Sequence, residues 1–170
     1  VIGSGLIIGT TGPDSETDGQ ASAGATGDDG DGNDDEDGIT TLNLTEGTTA
    51  QVDVTVTNPS TTTAATLYGW IDFNGDGDYD TTEFTSVAVP VSTTGGTVQL
   101  DFGTVPYNGV TSTFGRFRIT TDTLTSADFG GQASDGEVEG FPVSITETYD
   151  WSDEPDTYAT DAADGGEGVG

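Results

Sequence analysis

The chain has no cysteine, histidine or methionine, and its 31 acidic side chains face only two basic ones, Arg116 and Arg118. Without cysteine there is no disulfide, no thiolate nucleophile and no zinc–thiolate site. Without histidine, the commonest general base and the commonest transition-metal ligand are both missing. Without lysine there is no Schiff base and no lysine–asparagine crosslink. No apolar run reaches the roughly 18 residues of a membrane-crossing helix, and no basic stretch resembles the start of a signal peptide. A formal net charge of -29 excludes nucleic acid as a partner, because phosphate recognition needs a basic footprint. An anionic membrane surface would repel the chain for the same reason. The acidic surplus points instead to divalent cations, or to a salty medium that screens it. Carboxylates are so abundant that a pair suited to glycoside hydrolysis carries no information, and the expectation is a protein that is not an enzyme.

What remains is 31% hydrophobic, low enough with this charge to suggest disorder. Against that stand clean alternations of valine with threonine. Gln51 to Thr57 places Val52, Val54 and Val56 on one face and polar residues on the other. Ala65 to Phe73 sets Leu67, Ile71 and Phe73 against Tyr68 and Trp70. Further strands are expected at Val87 to Val91, Thr97 to Phe102, Thr113 to Thr120 and Glu137 to Thr146, with weaker ones at Ile39 to Leu44 and Gly5 to Ile8. Helix-forming stretches at a 3.6-residue spacing are missing. About eight short strands joined by Gly, Asn, Pro and Asp turns predict an all-β fold, an Ig-like β-sandwich with acidic calcium-binding loops. The expected organisation is a junction strand over 1–10, an acidic loop over 11–38, the sandwich over 39–148 and an acidic, glycine-rich linker over 149–170.

One stretch carries specific chemistry. Asp72 to Glu83 reads D-F-N-G-D-G-D-Y-D-T-T-E and fits the twelve-residue calcium pattern D-x-[DN]-x-[DN]-G-x5-E without a mismatch. In that register Asp72, Asn74 and Asp76 are side-chain ligands, Asp78 supplies a backbone carbonyl, Asp80 acts directly or through water, and Glu83 closes the site. Gly77 stands where the loop must turn sharply. The flanks read as strands, so the expectation is a calcium loop within a β-hairpin rather than between helices. A weaker second site is expected at Asp29, Asp31, Asn33, Asp35 and Asp37, where eight of the twelve residues from Gly27 to Gly38 are potential ligands. Asp135 is a third candidate. Glu137 and Glu139, which alternate as they would along one strand face, are expected to form ion pairs with Arg116 and Arg118. A calcium site with a dissociation constant near 10⁻⁴ M adds about 2.7 kcal/mol of stability in roughly 10 mM calcium.

These segments also resemble a known family. The run S-D-G-E-V-E-G-F at Ser134 to Phe141, with G-W-I-D-F-N-G-D-G-D-Y-D from Gly69 and G-R-F-R-I-T from Gly115, is similar to the GEVED domain, named for a Gly-Glu-Val-Glu-Asp signature. The acidic run D-D-E-D-G-I-T and the segment Y-D-W-S-D-E-P-D-T-Y resemble parts of the large secreted bacterial surface proteins in which that domain recurs. Gly140 and Phe141 replace the signature's terminal Asp-Tyr, which removes a carboxylate and a hydroxyl. The resemblance implies a secreted, extracellular or cell-surface, calcium-rich sandwich used in arrays, without catalysis. Placing Gly170 before Val1 restores the order of segments expected in such arrays, so one period of a tandem repeat is expected. Identical neighbouring copies are then the expected partners, in a fibre, stalk or adhesin. The alternative is a calcium-dependent module that grips glycans through an exposed aromatic such as Trp70 or Trp151. Asn43-Leu44-Thr45 is a glycosylation sequon.

Overall fold

Alternating valines make the inner wall of a small sheet. In the computed structural model, which describes residues 5–10, 38–39 and 42–148, the eight strands are β1 (Ile7–Ile8), β2 (Leu42–Thr45), β3 (Thr49–Asn58), β4 (Ala65–Ile71), β5 (Phe84–Val89), β6 (Thr93–Thr104), β7 (Ser112–Thr120) and β8 (Glu137–Thr146). Three form one sheet in the order β1-β3-β6, and five form the other in the order β2-β8-β7-β4-β5. The protein is an all-β sandwich, and no helix occurs among the described residues.

Val52, Val54, Val56 and Leu100 on the small sheet meet Leu67, Ile71, Phe117, Ile119 and Val143 on the large one. Each side chain buried this way contributes about 1.5–3 kcal/mol relative to exposure. The alternation of buried and exposed residues along β3 matches the sequence pattern position for position. All pairings are antiparallel except β2 with β8, which run parallel with Leu42 opposite Val143 and Leu44 opposite Ile145. Ring 117 is met edge-on by Phe141 at 5.8 Å.

One strand boundary differs from expectation. β5 starts at Phe84 and ends at Val89, because Pro90 has no N–H to continue the ladder. The chain then turns through Ser92, at φ 57°, and enters the other sheet at Thr93. Residues 5–10 pack onto the sandwich, with Leu6 and Ile8 buried in its core. β1 lies antiparallel to β3, and the Ile8 amide donates to a Glu137 carboxylate oxygen at the far end of β8. Both flanks of the segment 10–38 hang on one residue. The Gly9 amide donates to the Thr55 carbonyl at 2.7 Å, and the Thr55 amide donates to the Gly38 carbonyl at 3.0 Å.

The large sheet has a second buried face. Tyr68 and Trp70 point away from the main core, yet Trp70 is 0% exposed. Residues 121–136, which connect β7 to β8, fold over them as a clasp. The Trp70 indole N–H donates to the Ser126 carbonyl at 2.9 Å. The Tyr68 hydroxyl donates to the Asp122 carbonyl and accepts from the Leu124 amide, each at 3.1 Å. Arg118 donates to the carbonyls of Gly131 at 2.7 Å and Asp128 at 3.4 Å. Phe84 stacks on Tyr68 at 6.0 Å and packs against Trp70 at 5.1 Å. Backbone carbonyls need donors when covered, and the face of this sheet supplies them.

Candidate metal centre

The connection from β4 to β5 is the twelve-residue acidic segment Asp72 to Glu83. The ladder closes its mouth: Trp70 pairs with Phe84, and the Ile71 amide donates to the Glu83 carbonyl at 3.0 Å. Neighbouring strands hold the base in place. The Asp72 amide donates to the Phe114 carbonyl at 3.1 Å, and the Thr113 hydroxyl donates to the Asp72 carbonyl at 2.6 Å. From the other side the Asn108 side-chain amide donates to the Phe73 carbonyl at 2.7 Å. The hairpin setting expected from the flanks is therefore present.

Within the loop, carboxylates turn inward onto backbone amides. Asp72 accepts from Gly75 at 2.7 Å and Gly77 at 3.0 Å, one with each oxygen. Glu83 accepts from Asn74 at 3.1 Å and Asp80 at 3.0 Å in the same divided way. Asn74 accepts from Asp76, Asp76 from Asp78, and Asp80 from Thr82. Gly77 has φ +87° and open space where a side chain would stand. That conformation favours glycine, as the sharp turn requires.

The charge distribution is informative. Asp72 is 7% exposed and Glu83 3%, while Asn74, Asp76 and Asp78 stand in solvent. Burial raises the Glu83 pKa; amides from Asp80 and Asn74 act the other way, and the charges of Asp80 and Asp72 add to the rise. For Asp80, bonds from the Thr82 hydroxyl and amide hold the carboxyl below its usual value. Among the described residues no group of three or more carboxylates is gathered around a single point. The loop instead offers two buried carboxylates at its base and exposed oxygen donors, Asn74 among them, around its rim. These donors are all oxygen, the ligand type that a hard cation such as calcium takes.

The other candidates fare differently. Asp29, Asp31, Asn33, Asp35 and Asp37 lie outside the described residues. Asp135 is placed away from the loop and clamps the end of β7, accepting from the Thr120 hydroxyl and from the Thr121 amide and hydroxyl, each at 2.8 Å. Burial opposes ionisation there, but the hydrogen bonds from Thr121 and Thr120 win and its pKa is lowered. Arg116, Arg118, Glu137 and Glu139, the residues of the expected ion pairs, are placed by the strand register. The β7–β8 register sets Arg116 opposite Gly140 and Arg118 opposite Val138, while Glu139 faces Phe117 and Glu137 faces Ile119. Directly paired residues share a face. The arginines thus lie on the clasp side with Tyr68 and Trp70, and the glutamates on the core side.

The turn entering β8 is equally specific. Gly136 has φ +89°, and a Cβ there would meet the Ile119 carbonyl oxygen at 1.8 Å. Only glycine fits before the Glu137-Val138-Glu139 run. Residues 66–144, from β4 to near the end of β8, match the family model of the GEVED domain. The chain carries a GEVED domain. No curated protein matches the chain. The match begins after β3, so the GEVED segment supplies β4 to β8, while β1, β2 and β3 complete the two sheets from outside it. In this GEVED domain the first signature glutamate reaches across to β1, the second is buried, and the glycine in place of the final aspartate stands opposite Arg116.

Several positions had no signal in the sequence. The clasp lacks periodicity, and its role appears only once Trp70 is seen beneath it. Glu46 is another: its carboxylate accepts from the amides of Gly109 at 3.0 Å and Asn108 at 3.1 Å, joining the β2 turn to the residues that brace the acidic loop. The Gly109 amide, helped by those of Asn108 and Thr148, lowers its pKa against the opposing effect of burial. The Asn108-Gly109 pair was the available hint, as a turn former.

Proposed function

We propose that this GEVED-containing chain is a calcium-stabilised structural module of an extracellular array, acting with identical neighbouring copies rather than as an enzyme. The observation that carries this reading is the burial of both Asp72 and Glu83 at the base of the hairpin loop. Their backbone donors orient the oxygens but leave two negative charges in place. A bound cation would offset that charge, and calcium supplies neutralisation with a flexible coordination number. Asp72, Asn74, Asp76, Asp80, Glu83 and the Asp78 carbonyl are the groups that would hold it. Charge neutralisation then links metal binding to folding of a chain whose net charge is -29. The glycan-binding alternative loses its ring at Trp70, which the clasp covers; Trp151 lies outside the described residues.

Thermal unfolding of the 170-residue chain in EGTA and then in millimolar calcium tests the reading. One site filled to a hundred times its dissociation constant raises the melting temperature by roughly 5–10 °C. Asp72→Ala removes that rise. A melting curve indifferent to calcium overturns the proposal.

A further inference from the structure

The acidic loop and the clasp come from different parts of the chain and meet at a pair of rings. Tyr79 lies between two of the loop's oxygen-donor positions, Asp78 and Asp80. Its ring packs edge-on against Phe129 of the clasp, with centroids 5.3 Å apart at 65°. Phe129 in turn follows Asp128, whose carbonyl accepts from Arg118 and whose carboxylate accepts from the Thr125 amide at 2.7 Å. Three residues before Phe129, the Ser126 carbonyl holds the Trp70 indole. The loop rim thus touches the clasp through Tyr79 and Phe129, three residues along the chain from the carbonyl that holds the buried tryptophan.

We propose that the clasp is a calcium-responsive layer, seated over Trp70 by the Tyr79–Phe129 contact when the loop closes around its ion. This rests on the calcium reading of the loop and adds what the ion controls. Drawing Asp78 and Asp80 inward fixes the residue between them, and Tyr79 can then present one surface to Phe129. Without the ion the exposed rim is free to sample other arrangements, and the ring contact is made for only part of the time. Coupling of this kind is reciprocal: a clasp held by Phe129 raises the loop's calcium affinity by the same factor. A single aromatic edge contact corresponds to roughly three- to tenfold in affinity.

The test uses the full chain with Trp151→Phe, which leaves Trp70 as the remaining tryptophan of the two. Calorimetric titration with calcium chloride measures affinity, and amide exchange over 121–136 with acrylamide quenching of Trp70 measures seating of the clasp. Calcium is expected to slow exchange in 121–136 and reduce quenching. Phe129→Ala is expected to weaken calcium binding three- to tenfold and abolish both responses. Phe129→Leu, which keeps an apolar side chain in place, guards against general loosening and is expected to show an intermediate loss. Heat of calcium binding with no change over 121–136, or unchanged affinity in both variants, overturns the coupling and leaves the calcium site standing. Absence of any binding heat overturns both.

Discussion

Gly140 lies directly opposite Arg116 in the β7–β8 ladder, on the clasp side of the sheet. A carboxylate at position 140 would therefore share a face with the guanidinium, and the family signature has its aspartate there. Gly140→Asp is expected to raise stability by about 0.2–1 kcal/mol, the range for a cross-strand opposite-charge pair. Denaturant unfolding of Gly140→Asp, Arg116→Gln and the double variant isolates the pair. A coupling of zero would mean that the two side chains do not meet.

Glycine is required at one turn and merely convenient at another. Gly136 and Gly103 both have positive φ, at +89° and +79°, but a side chain at 136 strikes the Ile119 carbonyl whereas one at 103 meets open space. Gly103→Ala is expected to cost about 1–2 kcal/mol from backbone conformation alone. Gly136→Ala should cost clearly more, because β8 must shift away from β7. Equal midpoints in urea would contradict this account.

The two aromatic faces of the large sheet should respond to mutation in different ways. Leu67→Ala empties the main core and is expected to cost about 2–5 kcal/mol in global stability. Trp70→Phe keeps most of the apolar volume but leaves the Ser126 carbonyl without its indole donor, at about 1–3 kcal/mol. Its effect should concentrate in the clasp, read as faster proteolysis within 121–136 at little change in exchange of β3 amides. A uniform acceleration everywhere would show that the clasp does not open separately.

Acid and base should act on the two regions with opposite sign. The Glu83 pKa is raised, with burial as the largest cause. In the metal-free chain its contribution is fully present below the usual value of 4.5 and is lost as pH rises through the folded value. Glu83→Gln is therefore expected to stabilise the calcium-free protein at neutral pH, have no such benefit near pH 4, and abolish calcium stabilisation. In the clasp, the Ser134 hydroxyl lowers the Asp122 pKa and the Thr125 hydroxyl lowers that of Asp128. Their contribution is present above 3.8 and is lost as pH falls through the depressed folded values. Melting in EGTA across pH 3–7 separates the two effects; a Glu83→Gln profile parallel to the parent would refute the assignment.

Much of this architecture can be read from residue alternation. Val52, Val54 and Val56 identify β3 and its inner face, and the acidic run ending at Glu83 marks the hairpin connection, because period-two burial and loop chemistry are local properties. Strand register is not local. Whether Glu139 faces Arg116 or Phe117 turns on a one-residue offset between strands separated by the clasp, and alternation within β8 cannot fix it. Trp70 shows the same gap. Its position opposite Leu67 was visible, but its burial needs the clasp, whose cohesion comes from hydrogen bonds to carbonyls of Asp122, Ser126, Asp128 and Gly131. Any sequence can offer a carbonyl, so such contacts leave no mark in composition.

Thr55 takes on a further meaning through the two bonds that tie it to Gly9 and Gly38. Gly9 and Gly38 are held side by side on this one residue, and a Cβ on Gly38 would already strike Ile8. Lengthening a connection between two points fixed in this way costs little, since each doubling adds only about 0.6 kcal/mol in closure entropy. The sequence between them can therefore lengthen or shorten without altering the register of any described strand.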